Sequence, residues 1–281
     1  SIYLNSISQN HSLFRDVNKE HSLYTGIVNK LLYPMINEIS HSNNIVSLLL
    51  QLRLEDEYTF QHTLSIGIIS AIIAKWLGLG EKEQLKAAIT GTLHDIGKCA
   101  IPLEILNKPG PLTREEFEIM KTHSTISYSI AARHPGFDED ILLGVLQHHE
   151  RINGKGYPAG LRGDRISPLA RIVSVADVFH AMTSERVYRN KENPLYVLEE
   201  IRREENALDP DVVQTFIKNT IPYLSGYKVL LSDGRTGTII NVNEQKLRYP
   251  LVKLDDSPYI IDLEKKDYLR IIDFFASPIQ I

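Results

Sequence analysis

Seven histidine and aspartate residues carry the side chains that this sequence could most readily use for chemistry. They are His62, His94, Asp95, His123, His148, His149 and Asp177. Neutral imidazole and carboxylate are common protein ligands for transition-metal ions. Two neighbouring metal ions suit the hydrolysis of a phosphodiester, because they can activate water and neutralise the phosphate. The set therefore predicts a two-metal centre that acts on a phosphodiester.

The types of these residues suggest which of them bridges the two ions. A carboxylate has two oxygens and can bridge two ions, whereas a neutral imidazole offers one acceptor nitrogen. We therefore predict that Asp95 is the bridging, catalytic carboxylate. The predicted ligands of one ion are His62, His94 and Asp177, and those of the other are His123, His148 and His149.

Each of these residues also has an ordinary interpretation. A single histidine on a helix is more often a surface residue or a hydrogen-bonded core residue than a ligand. The prediction therefore depends on the joint pattern, in which most of the ligands adjoin apolar helical stripes. Cys99 is expected to pack rather than to bind metal. The remaining histidines are expected to have no role in the centre; they are His11, His21, His41, His134 and His180.

The bulk composition is that of an ordinary globular protein of 281 residues. A net charge of −4 gives no general attraction to a nucleic acid polymer. One cysteine permits no intrachain disulfide, and no apolar stretch is long enough to span a membrane. No secretory signal opens the chain. These features together predict a cytoplasmic protein without a membrane span.

The elements that must position the ligands are predicted to be mainly helical. We predict an N-terminal helical segment at 1–48, a helical domain at 49–224 and a small β domain at 225–281. Apolar residues at helical spacing between 64 and 76 and between 85 and 93 form two stripes, the second of which leads into His94. Helix-start signals occur at Thr113 with Glu116, Ser167-Pro168, Asn193-Pro194 and Asp209-Pro210.

The pattern changes after Gly226. Short β-rich runs at 228–231, 238–242, 251–254 and 259–261 are separated by turn signals. They predict a small antiparallel sheet or barrel. This segment has no catalytic signature, and we interpret it as an accessory module or a homodimer contact.

Several segments of the chain together resemble the HD-GYP family of the HD phosphohydrolase superfamily. The matching residues are Tyr58-Thr59, His62-Thr63, His94-Asp95-Ile96-Gly97-Lys98, His123, His148-His149-Glu150-Arg151, Asn153-Gly154, Gly156-Tyr157-Pro158, Ala176-Asp177, Ala181-Met182-Thr183, Arg186 and Arg189. The resemblance covers roughly residues 50 to 220. It implies an HD-type helical bundle that hydrolyses cyclic di-GMP to pGpG or GMP. It also implies a dinuclear or trinuclear centre of iron or manganese.

The resemblance also suggests which residues bind the substrate. Lys98 resembles the family lysine that contacts phosphate or the attacking water, although it could equally be a solvated lysine. Arg186 and Arg189 could grip the second phosphate, or be an ordinary exposed pair. The Gly156-Tyr157-Pro158 loop is linked in the family to specificity and to binding of signalling partners, and Tyr157 could stack on guanine. A purely structural turn is the alternative for this loop. Glu150 could orient a histidine or be a solvated charge.

Three departures from the family pattern affect the expected reaction. Asn153 and His180 occupy positions that are usually or often aspartate, and we expect modest effects from both. Trinuclear members have a glutamate at the position of Tyr58. We therefore expect two metals and pGpG as the main product.

Three other functions remain open at this point. The chain could hydrolyse cyclic GMP-AMP, or could be a weakly active or inactive receptor that senses a nucleotide with the same fold. A nucleotide phosphomonoesterase is the third alternative, and the Gly156-Tyr157-Pro158 segment disfavours it.

Overall fold

A computed structural model describes residues 58–183, 193–266 and 268–275 of the chain. The predicted N-terminal helical segment, Arg186 and Arg189 lie outside these residues. Within them the chain forms a bundle of helices followed by a small antiparallel sheet. The prediction of a mainly α protein with an HD-type bundle and a small C-terminal β unit is confirmed.

Eight α-helices lie within the part of the predicted helical domain that the structure describes. They are α1 Tyr58–Trp76, α2 Glu81–Leu93, α3 Leu103–Leu106, α4 Arg114–Ala131, α5 Glu139–Gln147, α6 Pro168–Thr183, α7 Pro194–Arg203 and α8 Pro210–Leu224. Short 3-10 helices occur at Ile96–Ala100, Gly163–Arg165, Glu204–Asn206 and Leu263–Lys265.

The helix starts follow the side-chain signals in the sequence. Thr113 and Glu116 form a reciprocal capping box at the start of α4. Asn193 and Asp209 each accept backbone N–H groups ahead of a proline in the first turn. These three predicted starts are therefore confirmed, and α4 ends before Pro135 as expected.

Helix α1 is the centre of the bundle. Residues 63–74 are all buried, and α1 packs against α2, α6 and α8. A helix that is apolar on every side is stable only when other helices surround it. The ligand-bearing helices α2, α4, α5 and α6 also pack against one another, so the bundle places the ends and faces of several helices close together.

The C-terminal strands form one five-stranded antiparallel sheet with the order β4-β3-β2-β1-β5. The strands are β1 Lys228–Leu231, β2 Thr236–Asn241, β3 Leu251–Leu254, β4 Ile260–Asp262 and β5 Ile271–Phe275. Strand β5 had no counterpart in the sequence prediction; it pairs with β1 at a sheet edge. Within the described residues the sheet stays open, so the barrel alternative is not supported.

The sheet and the bundle share one apolar core. Buried residues of the strands, such as Val229 and Val252, belong to the same cluster as those of α1 and α6. Asn193 at the start of α7 donates to the carbonyl of Ile271 in β5 (3.3 Å). Helix α8 ends at Leu224 and β1 begins at Lys228, on either side of the predicted boundary at residue 225. The division into separate domains stays a prediction.

None of the helices in the described ranges is both long enough and apolar enough to cross a membrane.

Candidate metal centre

The seven predicted ligands lie at the ends and on the inner faces of five packed segments. His62 lies in α1, His123 in α4 and Asp177 in α6, while His94 and His148 terminate α2 and α5. Asp95 and His149 directly follow two of these helix ends. Each of these two helix ends therefore places two adjacent side chains in the cluster, and the two side chains point in different directions.

Gly97 brings α4 close to the His94-Asp95 pair. Its N–H donates to Ser127 Oγ at 2.8 Å. A β-carbon at Gly97 would lie 2.3 Å from the backbone oxygen of His123. Any larger residue would therefore push α4 away and with it the His123 side chain.

Three of the histidines are held in the same way. The Nδ1 atoms of His94, His123 and His148 lie 2.6 to 2.7 Å from the carbonyl oxygens of Gly91, Met120 and Val145, three residues earlier in each case. A carbonyl can only accept, so Nδ1 carries the proton and Nε2 keeps its lone pair. These contacts fix the tautomer that a metal ligand requires.

Asp95 lies between two sets of imidazoles. Its Oδ2 is 3.2 Å from His94 Nε2 and 3.5 Å from His62 Nε2, while its Oδ1 is 3.3 Å from His123 Nε2. The two oxygens therefore face different histidines, as a bridging carboxylate would.

Two buried atoms in this cluster make no hydrogen bond among the described residues. They are His94 Nε2 and Asp95 Oδ1. An unsatisfied buried polar atom costs roughly 1–3 kcal/mol, and a divalent cation between these lone pairs would remove that cost. The residues present therefore fit a metal centre.

The potential ligand atoms fall into two groups that could each hold an ion. One group is His62, His94 and Asp177, and the other is Asp95, His123, His148 and His149. Within each group the ligand atoms lie within 4.8 Å of one another. This division agrees with the predicted one; the ligand roles themselves stay predictions.

Burial and charge set the protonation of the cluster. Burial lowers the pKa of His148 to about 3, and burial likewise depresses the pKa values of His149 and His123. These imidazoles are neutral near pH 7 and able to bind a cation. Burial opposes the charged form of His94 too, but the adjacent Asp95 carboxylate raises the pKa of His94 above its ordinary value.

The two carboxylates are ionised although they are buried. Burial acts to raise the pKa of Asp95, but the charges of His94 and Lys98 hold it well below its usual range. The pKa of Asp177 is lowered against the effect of burial by His94 and His62. The cluster thus offers negative charge together with neutral nitrogen donors.

Lys98 lies at the open side of the cluster. Its Nζ donates to Asp95 Oδ2 at 2.6 Å, and its side chain is 29% exposed. The side chains of Asp177 and His62 are 18% and 11% exposed, whereas that of His94 is fully buried. Lys98 therefore pairs with the buried Asp95 carboxylate and is not simply a solvated lysine.

The Gly156-Tyr157-Pro158 loop folds back on the residues that follow α5. A β-carbon at Gly156 would lie 2.4 Å from the His149 oxygen and from the Arg151 nitrogen, so the chain's own backbone requires this glycine. The Tyr157-Pro158 bond is cis. The Tyr157 ring lies against His149, with 4.7 Å between centroids and 31° between planes.

Glu150 differs from both interpretations made from the sequence. It is buried, and its two oxygens accept the N–H groups of Ala159 (2.7 Å) and Leu161 (2.8 Å). It therefore neither orients a histidine through the described contacts nor faces solvent. Instead, its carboxylate ties the far side of the Gly156-Tyr157-Pro158 loop to the end of α5.

His180 is the residue of the site that sequence reasoning missed. It is buried in α6, and its Nδ1 lies 3.0 Å from Nδ1 of His62. The Nε2 of His62 faces Asp95 and Asp177; if it binds a metal ion through its lone pair, the ring proton lies on Nδ1 and is donated to His180. The available signal was spacing: residue 180 follows Asp177 by three positions and so lies on the same helix face.

Cys99 and Asn153 belong to neither ligand group. Cys99 is exposed, so the prediction that it packs was wrong; it lies in the short 3-10 helix after Asp95, where its side chain points outward. Asn153 forms an isolated bridge with Arg162, and its side chain accepts from the N–H of Lys155 at 3.0 Å. It therefore shapes the loop and is not a member of either ligand group.

The fold and the cluster together define a helical bundle with a histidine–aspartate metal site. The family model described as HD domain matches residues 44–212. The chain therefore belongs to the HD-domain family, and its predicted membership of the HD-GYP branch is confirmed.

Several characterised proteins are similar to this chain. A cyclic di-GMP phosphodiesterase of Pseudomonas aeruginosa is 33% identical over 86% of this chain and 59% of its own length. One of Thermotoga maritima is 44% identical over 58% of this chain and 45% of its own length. A 3'3'-cGAMP-specific phosphodiesterase of Vibrio cholerae is 35% identical over 65% of this chain and 42% of its own length. This chain thus spans about half the length of these relatives.

A solved structure supports the fold. An HDGYP protein of Bdellovibrio bacteriovorus superimposes with a TM-score of 0.61 at 20% identity, covering 76% of this chain and 69% of its own.

Proposed function

We propose that this chain is a metal-dependent phosphodiesterase that hydrolyses cyclic di-GMP, mainly to pGpG. The observation that carries the proposal is the position of Asp95, whose two oxygens face separate histidine groups. The two relatives named as cyclic di-GMP phosphodiesterases support the choice of substrate.

The proposal assigns one divalent ion to each ligand group. His62, His94 and Asp177 would hold one ion, and His123, His148 and His149 the other, with Asp95 shared. When bound, two such ions supply Lewis acidity and lower the pKa of a coordinated water. We favour iron or manganese, which the resemblance to the HD-GYP family implies and with which mixed imidazole and carboxylate ligands are compatible.

Lys98 has the position expected of a phosphate contact in this reaction. Its ammonium donates to Asp95 Oδ2, the carboxylate shared by the two ligand groups. A positive charge at this position would hold the diester phosphate and offset its negative charge. Gly156 and Pro158 would then act indirectly, by holding Tyr157 at the edge of the site.

Arg186 and Arg189 are proposed to grip the second phosphate of the cyclic dinucleotide. Arg186→Ala should raise KM for cyclic di-GMP about tenfold or more while changing kcat little, because a charge-assisted contact to phosphate is lost. Steady-state kinetics measure this. A change confined to kcat would count against the assignment.

The alternative substrate is 3'3'-cGAMP. Relatives of this chain include 3'3'-cGAMP-specific phosphodiesterases, and the metal groups act on phosphate, which both dinucleotides share. The deciding test incubates the protein, loaded with iron or with manganese, with each dinucleotide and separates pGpG and GMP by chromatography. Elemental analysis of the same samples counts the ions.

Each outcome of that test has a defined meaning. Hydrolysis of cyclic di-GMP that stops when the metals are removed supports the proposal. Faster turnover of 3'3'-cGAMP than of cyclic di-GMP would make 3'3'-cGAMP the proposed substrate. Two bound ions without turnover of either dinucleotide would identify a receptor.

The proposal also covers the location, the partners and the domain division of the protein. It includes a cytoplasmic site of action, contacts with signalling proteins through the Gly156-Tyr157-Pro158 loop, and a homodimer contact made by the β unit. It also retains the division of the chain at residues 48 and 224.

A further inference from the structure

An exposed phenylalanine on α4 lies beside the metal cluster. Phe117 is 46% exposed, and its ring meets Tyr157 edge-on, with 6.2 Å between centroids and 84° between planes. Lys121, one turn further along α4, places its Nζ 5.4 Å from the Phe117 centroid and 5.9 Å from the Tyr157 centroid. Two aromatic rings and one ammonium thus share a small patch of surface.

This patch is continuous with the candidate metal centre. Tyr157 stacks on His149 and lies 6.4 Å from His123 between ring centroids. Both histidines belong to the second ligand group. A nucleotide whose phosphate reaches that group would therefore bring its base toward Phe117.

Lys121 also forms an ion pair on the surface of α4. Glu118 accepts from its Nζ at 2.6 Å, and the two side chains are 61% and 25% exposed. The ammonium has three donors, and Glu118 engages one of them. The ammonium thus lies near both rings and has N–H groups beyond the one that contacts Glu118.

We propose that Phe117 and Lys121, together with Tyr157, form a base-binding subsite that takes a guanine of the substrate. The inference rests on the proposed function. An aromatic ring stacks on any base, but only guanine presents two acceptors, O6 and N7, on the edge that an ammonium can reach. Adenine presents an N6 donor there, which an ammonium repels.

The first test measures binding of a hydrolysis-resistant phosphorothioate analogue of cyclic di-GMP to the full chain loaded with manganese. Phe117→Ala should weaken binding about tenfold, because one stacked base is lost. The matched control is Ile119→Ala. Ile119 is similarly exposed (41%) on the same helix but points about 200° away from Phe117, so its variant should bind as the parent does.

The second test asks whether Lys121 distinguishes the bases. Lys121→Met keeps the apolar stem and removes the donors, so it should weaken binding of the cyclic di-GMP analogue about tenfold. It should weaken the matching cyclic di-AMP analogue much less. An equal loss with both analogues would overturn the guanine assignment.

Failure of this inference can be separated from failure of the proposed function. Equal binding by the Phe117→Ala and Ile119→Ala variants overturns the subsite, whether or not the parent hydrolyses cyclic di-GMP. Binding by the parent without hydrolysis contradicts the proposed function alone. A parent that does not bind the analogue overturns both.

Discussion

At the scale of single residues, the centre depends on Asp95. This carboxylate contacts histidines of both ligand groups and the Lys98 ammonium. A buried charge with these neighbours is tolerable only when it is paired or bound to a cation. Its removal should therefore affect both groups together.

Asp95→Ala is expected to lose both ions and the hydrolytic activity, with metal affinity reduced more than about a hundredfold. Elemental analysis after loading with manganese measures the loss, and circular dichroism shows that the variant is folded. Asp140→Ala, which removes a 68% exposed carboxylate on α5, is the control. A variant of Asp95 that kept two ions would refute its bridging role.

His180 offers a second prediction at this scale. His180→Ala should reduce the affinity for the ion held by His62 about 10- to 100-fold, because the partner that orients His62 is lost. His180→Asp should restore much of that affinity, since a carboxylate also accepts from Nδ1–H. Metal titration followed by calorimetry compares the two variants.

The control for that experiment is His134→Ala. His134 is also a buried histidine, but its ring lies against Phe137 and is in neither ligand group. If His180→Ala binds both ions like the parent, the orienting role is wrong.

At the scale of elements, the end of α5 organises the site. The hydroxyl of Ser174 in α6 donates a hydrogen bond to the carbonyl oxygen of His148 at 2.6 Å. The guanidinium of Arg151 donates to the same oxygen at 3.2 Å. Glu150 then fixes the returning loop through two backbone N–H groups. Helix end and loop are thus held independently of any metal.

Glu150→Ala should therefore destabilise the chain by about 2 kcal/mol or more, because two N–H groups lose their acceptor. Urea denaturation measures the free energy of unfolding. Metal content should stay close to that of the parent, since Glu150 is in neither ligand group. Glu104→Ala, at an exposed position in α3, is the control, and an equal effect of both substitutions would exclude this role for the loop contacts.

At the scale of the whole molecule, metal binding and folding are linked. The seven potential ligands come from five separate segments of the chain, and only the folded bundle brings them together. Ions that bind the folded state alone stabilise it by mass action, by about 2.7 kcal/mol at a free concentration one hundred times Kd.

Removing the ions with a chelator should therefore lower the Tm of the parent chain, and added manganese should restore it. Differential scanning calorimetry measures both changes. The Tm of Asp95→Ala should respond little to either treatment. A similar fall in both proteins would mean that the chelator acts elsewhere.

The sequence by itself determined the family and the fold class, and it predicted two groups of candidate ligands that the structure brings together. Helix starts were readable because caps such as Thr113 with Glu116 act over three residues. The bridging role of Asp95 was predictable because a carboxylate offers two oxygens whereas a neutral imidazole offers one acceptor nitrogen. Strand β5 was not predicted, because its apolar run lacks the alternation of a half-buried strand and its partner β1 is distant in sequence.

Only the tertiary structure decided which residues support the ligands. His62 and His180 are separated by 118 positions, and no local periodicity links them. The burial of Glu150 and the exposure of Cys99 depend on how the loop and the 3-10 helix pack. Side-chain chemistry is carried by each residue alone, whereas burial and pairing arise from the packing of segments that are far apart in the chain.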